Sequence, residues 1–255
     1  MQGLYTSLED GRTPVGPLGE RRFATLRQAF REAGFPDERL LDFSYAGGRI
    51  DDGGRWVADD YGCLDTDRPI QDSVDRLDAM LWAYREAHPR AGFVLIGHSL
   101  GGYVAFELAE REARREEKAG LSAVVTIDAP LLGAHADKQA VLDLVGCDGK
   151  TYAAGADLVR LAADATEREA QLAAAAAIRA DAIRLATLGN AADCLYYPTP
   201  CGLAGAFVDD RATQVLDSAD LAAYEAIPSG PLESHEIATA YVPYVRAIVA
   251  FAGPP

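Results

Sequence analysis

The chain has 255 residues, enough for one large α/β domain with a sizeable core. Hydrophobic residues make up 49% and charged residues 25%, an ordinary globular composition, and the net charge of -15 argues against nucleic acid or an anionic membrane as a partner. No apolar run approaches the roughly eighteen residues of a membrane span, so no integral membrane segment is expected.

Along the chain, apolar runs alternate with amphipathic segments, the pattern of a mostly parallel sheet with helices on both faces. Residues 20–33 read as a helix with Phe23, Leu26 and Phe30 at helical spacing, ended by Gly34. Arg39 to Tyr45 reads as a short strand, and the Gly/Asp-rich stretch 46–69 as a long surface loop. That loop holds Asp51 and Asp52 but lacks a full calcium-loop pattern. Residues 70–88 carry Val74, Leu77, Leu81 and Tyr84 on one helical stripe, stopped by Pro89. A buried strand at 93–97, a helix over 101–118 and a second buried strand at 121–128 follow. Residues 130–182 form an insertion ending in an Ala-rich helix, Ala156–Ala182, which reads as a connecting helix packed on the sheet rather than a greasy mobile lid. Further strands are expected at 183–189 and near Ala212–Leu216, and a last helix from about His235 to Phe251. The whole, 1–255, reads as one domain with the helical insertion at about 130–182.

Four cysteines are present, Cys63, Cys147, Cys194 and Cys201, without zinc-type C-x-x-C pairs. Cys194 and Cys201 share one loop-like stretch and would bridge in an oxidising compartment; buried free thiols are the alternative.

The informative motif is Gly97-His98-Ser99-Leu100-Gly101, extended by Gly102. An all-apolar strand precedes it and an amphipathic helix follows, the context in which G-x-S-x-G forms a nucleophile elbow. There a strained strand-to-helix turn lifts the serine hydroxyl above the strand ends, and small residues let helix and strand cross closely. Ser99 then sits at a helix N-terminus, where free N–H groups favour developing negative charge, and the Leu100 N–H is an oxyanion donor. His98 fills a free position of the motif and is read as non-catalytic.

A serine needs a base, and in the order that goes with this elbow an acid and then a histidine follow. His88 and His98 precede the serine, and His135 comes too early to follow a late acid. His235 lies in the Pro/Gly-rich stretch just before the last helix, where a base would be delivered. For the acid, Asp193 follows the 183–189 strand; Asp128, at the end of the preceding strand, is the alternative, with a structural role in fixing the Ala129–Gly133 turn as its other reading. Asp209 and Asp210 read as solvated loop charges. The four histidines show no metal-ligand spacing, so neither metal nor cofactor is expected.

On these residues the chain resembles the lipase and serine-esterase branch of the α/β-hydrolase superfamily, and within it the lipase-like proteins grouped with GPI inositol-deacylases. The resemblance rests on Gly97–Gly102, on Val124–Gly133 and on Gly189–Asp193. It implies an esterase or lipase that needs no cofactor and forms an acyl-enzyme on Ser99, with a small-molecule ester or lipid as substrate and no protein partner evident. It also implies a second oxyanion N–H from the segment matching Gln2-Gly3-Leu4, at Gly3 or Leu4, with Gln2 in place of the usual histidine. An acyltransferase or thioesterase with the same triad, and an inactive hydrolase scaffold used for binding, are the alternatives.

The strand that should lead into Gln2 is missing. In this fold it lies inside the sheet, between the 39–45 and 93–97 strands. Its loss would leave a gap of about 5 Å, one strand spacing, and strip a strand pair of ladder hydrogen bonds. The expectation is a natural protein longer at its N-terminus, or one whose start was misassigned. As it stands the chain reads as cytoplasmic, and a signal sequence upstream would make it secreted.

Overall fold

The apolar runs near 93, 121 and 184 are too short for core helices and rich in Val, Ile and Leu, and in the computed structural model they lie side by side as parallel strands. The structure describes residues 1, 6–8, 23–133, 153–163, 165–193, 219–229 and 233–254. In chain order the elements are α1 (Ala24–Glu32), β1 (Gly48–Ile50), β2 (Trp56–Ala58), α2 (Ile70–Ala87), β3 (Phe93–His98), α3 (Leu100–Arg114), β4 (Leu121–Ile127), α4 (Ala153–Ala163), α5 (Ala165–Ala180), β5 (Arg184–Asn190), β6 (Leu221–Glu225) and α6 (Val242–Ala252). The main sheet runs β3-β4-β5-β6, every pair parallel.

Alternation along the strands makes two cores. Leu95, Val124 and Leu185 face α2, α3, α4 and α5, whereas Val125, Ile127, Ala186 and Leu188 face α1 and α6. A sheet covered on both faces needs apolar residues at consecutive positions, which β4 supplies with Val124, Val125 and Ile127, all fully buried. This is the α/β arrangement expected, and all its strand ends that matter chemically point the same way.

Several segments differ from expectation. Residues 40–45 form no ladder; a single 3₁₀ turn, Asp37–Arg39, precedes an extended stretch. The physical reason lies beside it. A cleft of about 880 Å³ lies between Leu40–Phe43 and Phe93–Ile96 of β3, so among the described residues the segment has no strand to pair with. Among the described residues, Met1 alone meets this side of β3. Its ammonium donates to Ile96 O at 2.6 Å and its carbonyl accepts from His98 N–H at 3.1 Å, one rung of a parallel ladder. Burial lowers the pKa of that amino group to about 5, against the smaller upward pull of Asp42.

The expected loop at 46–69 contains the antiparallel hairpin β1–β2. Asp51 closes its turn by accepting the N–H groups of Gly53 and Arg55 and the Arg55 guanidinium, and these bonds hold its carboxyl below the usual range. Its oxygens are thus spent on the turn. The Ala-rich stretch is two helices, α4 and α5. The Asp67 carboxylate accepts the N–H groups of Ala154 and Gly155, while Asp157 accepts the N–H of Ile70, so α2 and α4 are tied by reciprocal caps. Cys63, just before, is disulfide-bonded. Its partner, like the expected Cys194–Cys201 pair, falls outside the described residues. So does the strand expected at 212–216; the observed edge strand is β6, whose Leu-Ala-Ala-Tyr-Glu sequence is helix-favouring by composition and is extended by pairing with β5. The last helix begins at Val242, later than expected, after a 3₁₀ turn at Ile237–Thr239, with a proline in its first turn. No helix among the described residues is long and apolar enough to cross a membrane.

Candidate active site

At the carboxyl end of β3 the chain reverses into α3 within one residue, Ser99, whose φ of 54° and ψ of -130° lie where side-chain-bearing residues are strained. The surroundings enforce this. A Cβ on Gly97 would lie 2.2 Å from the Gly101 carbonyl oxygen, and one on Gly102 would lie 2.7 Å from the Ala129 Cβ. The Ser99 N–H donates to Ile127 O at 2.9 Å, which pins the elbow to β4. Leu100 opens α3 with its side chain buried, and its N–H is one of those a helix leaves without an internal partner.

His235 and Asp193 meet, although 42 residues apart: His235 Nδ1–H donates to Asp193 Oδ2 at 2.6 Å. This fixes the tautomer and leaves Nε2 as the basic nitrogen. Asp193 is fully buried and the His235 side chain is 13% exposed. Burial works against the charged imidazole, but the Asp193 carboxylate, by charge and by hydrogen bond, and more weakly Glu236 and Asp128, outweigh it and raise His235 to about 9.

Asn190, the last residue of β5, holds the loops that carry both groups. Its carbonyl accepts from Asp193 N–H, its side-chain oxygen accepts from Ala192 and Ile227 N–H, and its amide donates to Ser234 O at 2.7 Å. His98 ties the His235 loop to the elbow. Its Nε2–H donates to the His235 carbonyl at 2.8 Å, the two rings lie 4.7 Å apart, and Glu236 Oε2 is 3.7 Å from Nδ1. From α6, Tyr244 spans the ends of β5 and β6, donating to Gly189 O and accepting from Glu225 N–H; burial pushes its hydroxyl up to about 12.

Of the residues singled out in the sequence, Asp193 and His235 are thus brought together, and Ser99 is placed on the elbow to which His98 ties the His235 loop. Asp128 ends β4 close to both, and its Oδ1 accepts the Asn190 N–H at 2.8 Å. Gly3, Leu4, His135, Asp209 and Asp210 fall outside the described residues. Sequence reasoning missed His98, Asn190 and Glu236. The signal for Asn190 was an amide-bearing residue ending an otherwise apolar strand; for His98 there was none, since its partner is a backbone carbonyl 137 residues away. Among the described residues, the groupings with ligand-type atoms close enough to share a cation are His98, His235 and Glu236, and Asp128, Asp193 and His235. Hydrogen bonds already engage His235 Nδ1, His98 Nε2 and Asp128 Oδ1.

Residues 64–147 match the family model of the thioesterase domain, a stretch that includes the elbow. No curated protein matches the chain. Among solved structures, the gene lin2722 product of Listeria innocua is similar over 91% of this chain and 89% of its own, at 14% identity and a TM-score of 0.52. A carboxylesterase structure from the thaumarchaeon Nitrososphaera gargenis covers 72% of each chain at 13% identity and a TM-score of 0.41. An α/β fold family hydrolase from Bacillus anthracis str. Sterne covers 80% of this chain and 90% of its own at 12% identity and a TM-score of 0.36. At 14% identity the likeness to the Listeria structure concerns the fold alone, and the likeness to GPI inositol-deacylase-like lipases rests on the motifs alone.

Proposed function

We propose that the chain is a serine hydrolase that cleaves carboxylic esters by two-step acyl transfer. Ser99 Oγ attacks the ester carbonyl while His235 Nε2 takes its proton, and Asp193 holds the imidazolium. The Leu100 N–H, with one from Gly3 or Leu4, receives the oxyanion charge. The alcohol leaves with the proton returned by His235, and water, activated by the same base, releases the acid. The observation that carries this reading is the 2.6 Å contact between His235 and Asp193 in a loop that His98 binds to the serine elbow.

The thioesterase-domain match over residues 64–147 favours a second substrate class with the same chemistry, thioesters. The leaving group is then a thiol, and the catalytic residues are unchanged.

The test is labelling with a fluorophosphonate probe, which reports nucleophile activation without a known substrate. The expected result is one modified residue, Ser99, by mass spectrometry, and no label in Ser99→Ala. A well-folded wild-type protein that takes no label overturns the hydrolase reading. Matched oxygen esters and thioesters of graded acyl length, assayed with water against alcohol or thiol acceptors, then separate esterase, thioesterase and acyltransferase.

A further inference from the structure

Two carboxyl groups, not one, stand beside the imidazole. Asp128 ends β4 with φ at 44°, in the left-handed region, and is 1% exposed. Its backbone N–H donates to Leu188 O, and its Oδ1 accepts from Asn190 N–H and lies only 3.0 Å from where a Cβ on Gly189 would stand. The strand ends therefore leave room for this side chain and turn it across β5 toward the loop of Asp193. One oxygen of Asp128, one of Asp193 and a ring nitrogen of His235 lie within 4.8 Å of one another, in a site where Asp193 is fully buried.

Charge counting limits what this cluster can hold. With both carboxyls ionised and His235 neutral, as the attacking step requires, two like charges would share a dry pocket. At so short a separation, out of water, the repulsion between two such charges is strong. One proton on the carboxyl pair removes that repulsion, as it does wherever two acids share a site. Asp193 is the member bonded to the imidazole and so gains most from ionisation.

We propose that Asp128 stays protonated while the enzyme turns over, a neutral positioning residue that leaves Asp193 the ionised carboxylate bonded to His235. The proposal rests on the serine-hydrolase reading for its catalytic meaning, though not for its geometry. Burial first, and the charge of Asp193 second, drive the Asp128 carboxyl far above the carboxylate range, against the opposing pull of His235 and of the Asn190 N–H. The groups that face it are Asp193 from the loop after β5, His235 and Glu236 from the loop before α6, and Tyr244 from α6 itself. Glu236 adds a further negative charge and strengthens the case for a proton on Asp128. The consequence is a usable base. A second ionised carboxylate would hold His235 in its imidazolium form to still higher pH, whereas a neutral one leaves it answering chiefly to Asp193.

The test uses the whole protein with ¹³C-labelled aspartate carboxyls, followed by NMR from pH 5 to 9. One resonance is expected to keep the shift of a protonated acid at pH 8, to vanish in Asp128→Asn and to remain in Asp193→Asn. Carboxyl resonances that all show the ionised shift at pH 8 overturn the proposal, whether or not the variants fold. Fluorophosphonate labelling against pH gives a second arm. In Asp128→Asn, which replaces a neutral acid by a neutral amide, the midpoint of the alkaline rise in labelling is expected to stay where it is in wild type, whatever the change in rate. A midpoint lower by roughly one unit or more would mean that an ionised neighbour had been removed. A protonated Asp128 in a protein whose Ser99 takes no label would leave the proton where it is placed here and defeat only the hydrolase reading.

Discussion

Around His235, separate stretches of chain meet within bonding distance: the elbow through His98, the end of β4 through Asp128, the end of β5 through Asn190, and the loop 233–236 itself. Along the outer side of β3, Met1 supplies one ladder rung among the described residues, and a cleft of about 880 Å³ lies below it. The two regions share a strand, and they differ in how their backbone groups are answered. The comparison teaches that the His235–Asp193 pair is held from β4, β5 and the loop before α6, while the flank reaches it through the single Met1–His98 rung.

The comparison can be broken most severely at the site. Asp193→Asn is expected to lower the rate of Ser99 labelling and of ester hydrolysis by about 10³- to 10⁴-fold, because the amide no longer holds the productive tautomer. A loss under tenfold would shift the acid's role to another residue. Next comes Asn190→Ala, which leaves the Ser234 carbonyl and the Ala192 and Ile227 N–H groups without their partner. The expected cost is about 2–4 kcal/mol in denaturant unfolding. Calorimetry on paired leucines then sharpens the contrast. Leu188→Ala, 1% exposed between two faces of packing, should cost about 2–5 kcal/mol, while Leu41→Ala, which lines the cleft, should cost under about 1 kcal/mol. Equal costs would mean that the flank is as well packed as the core.

Titration separates the regions again, with smaller effects. The His235 imidazole is raised to about 9, so its neutral, basic form increases as pH rises toward that value, and activity should climb on the alkaline side rather than near 6.5. The same shift stabilises the fold fully below about 6.5 and is lost as pH rises through about 9. The Met1 amino group behaves oppositely. Its pKa is lowered to about 5, so the unfolded chain binds more protons between about 5 and 8, and stability should rise with pH across that window. Acetylating the terminus should flatten this part of the stability curve and leave the labelling profile alone.

Much of this was legible in the sequence where a local pattern carries its own cause. The elbow is six consecutive residues with an apolar strand before it and an amphipathic helix after it, and Gly97 and Gly102 are explained by clashes that a Cβ would create. Asp193 and His235 were singled out from chain order and strand ends alone, and the structure puts them in hydrogen-bond contact. The 39–45 strand was misread because its residues do favour extension, but a ladder needs a neighbour and the neighbouring space is a cleft. The hairpin β1–β2 hid behind glycines and aspartates that read as a loop, although Asp51 uses them to close a turn. His98 could not be read at all, because a bond to a distant backbone carbonyl leaves no trace in either residue's identity.

The recess beside β3 also bears on how copies of this protein behave together. An unpaired strand edge on a flat surface invites another sheet to add to it, and aggregation follows. Here the edge lies at the bottom of a cleft, walled by Leu40–Phe43 on one side and by α2 residues such as Leu77 and Met80 on another. Those walls leave less of the described edge open to sheet addition than a flat surface would, and light scattering is expected to show no growth in particle size on concentration.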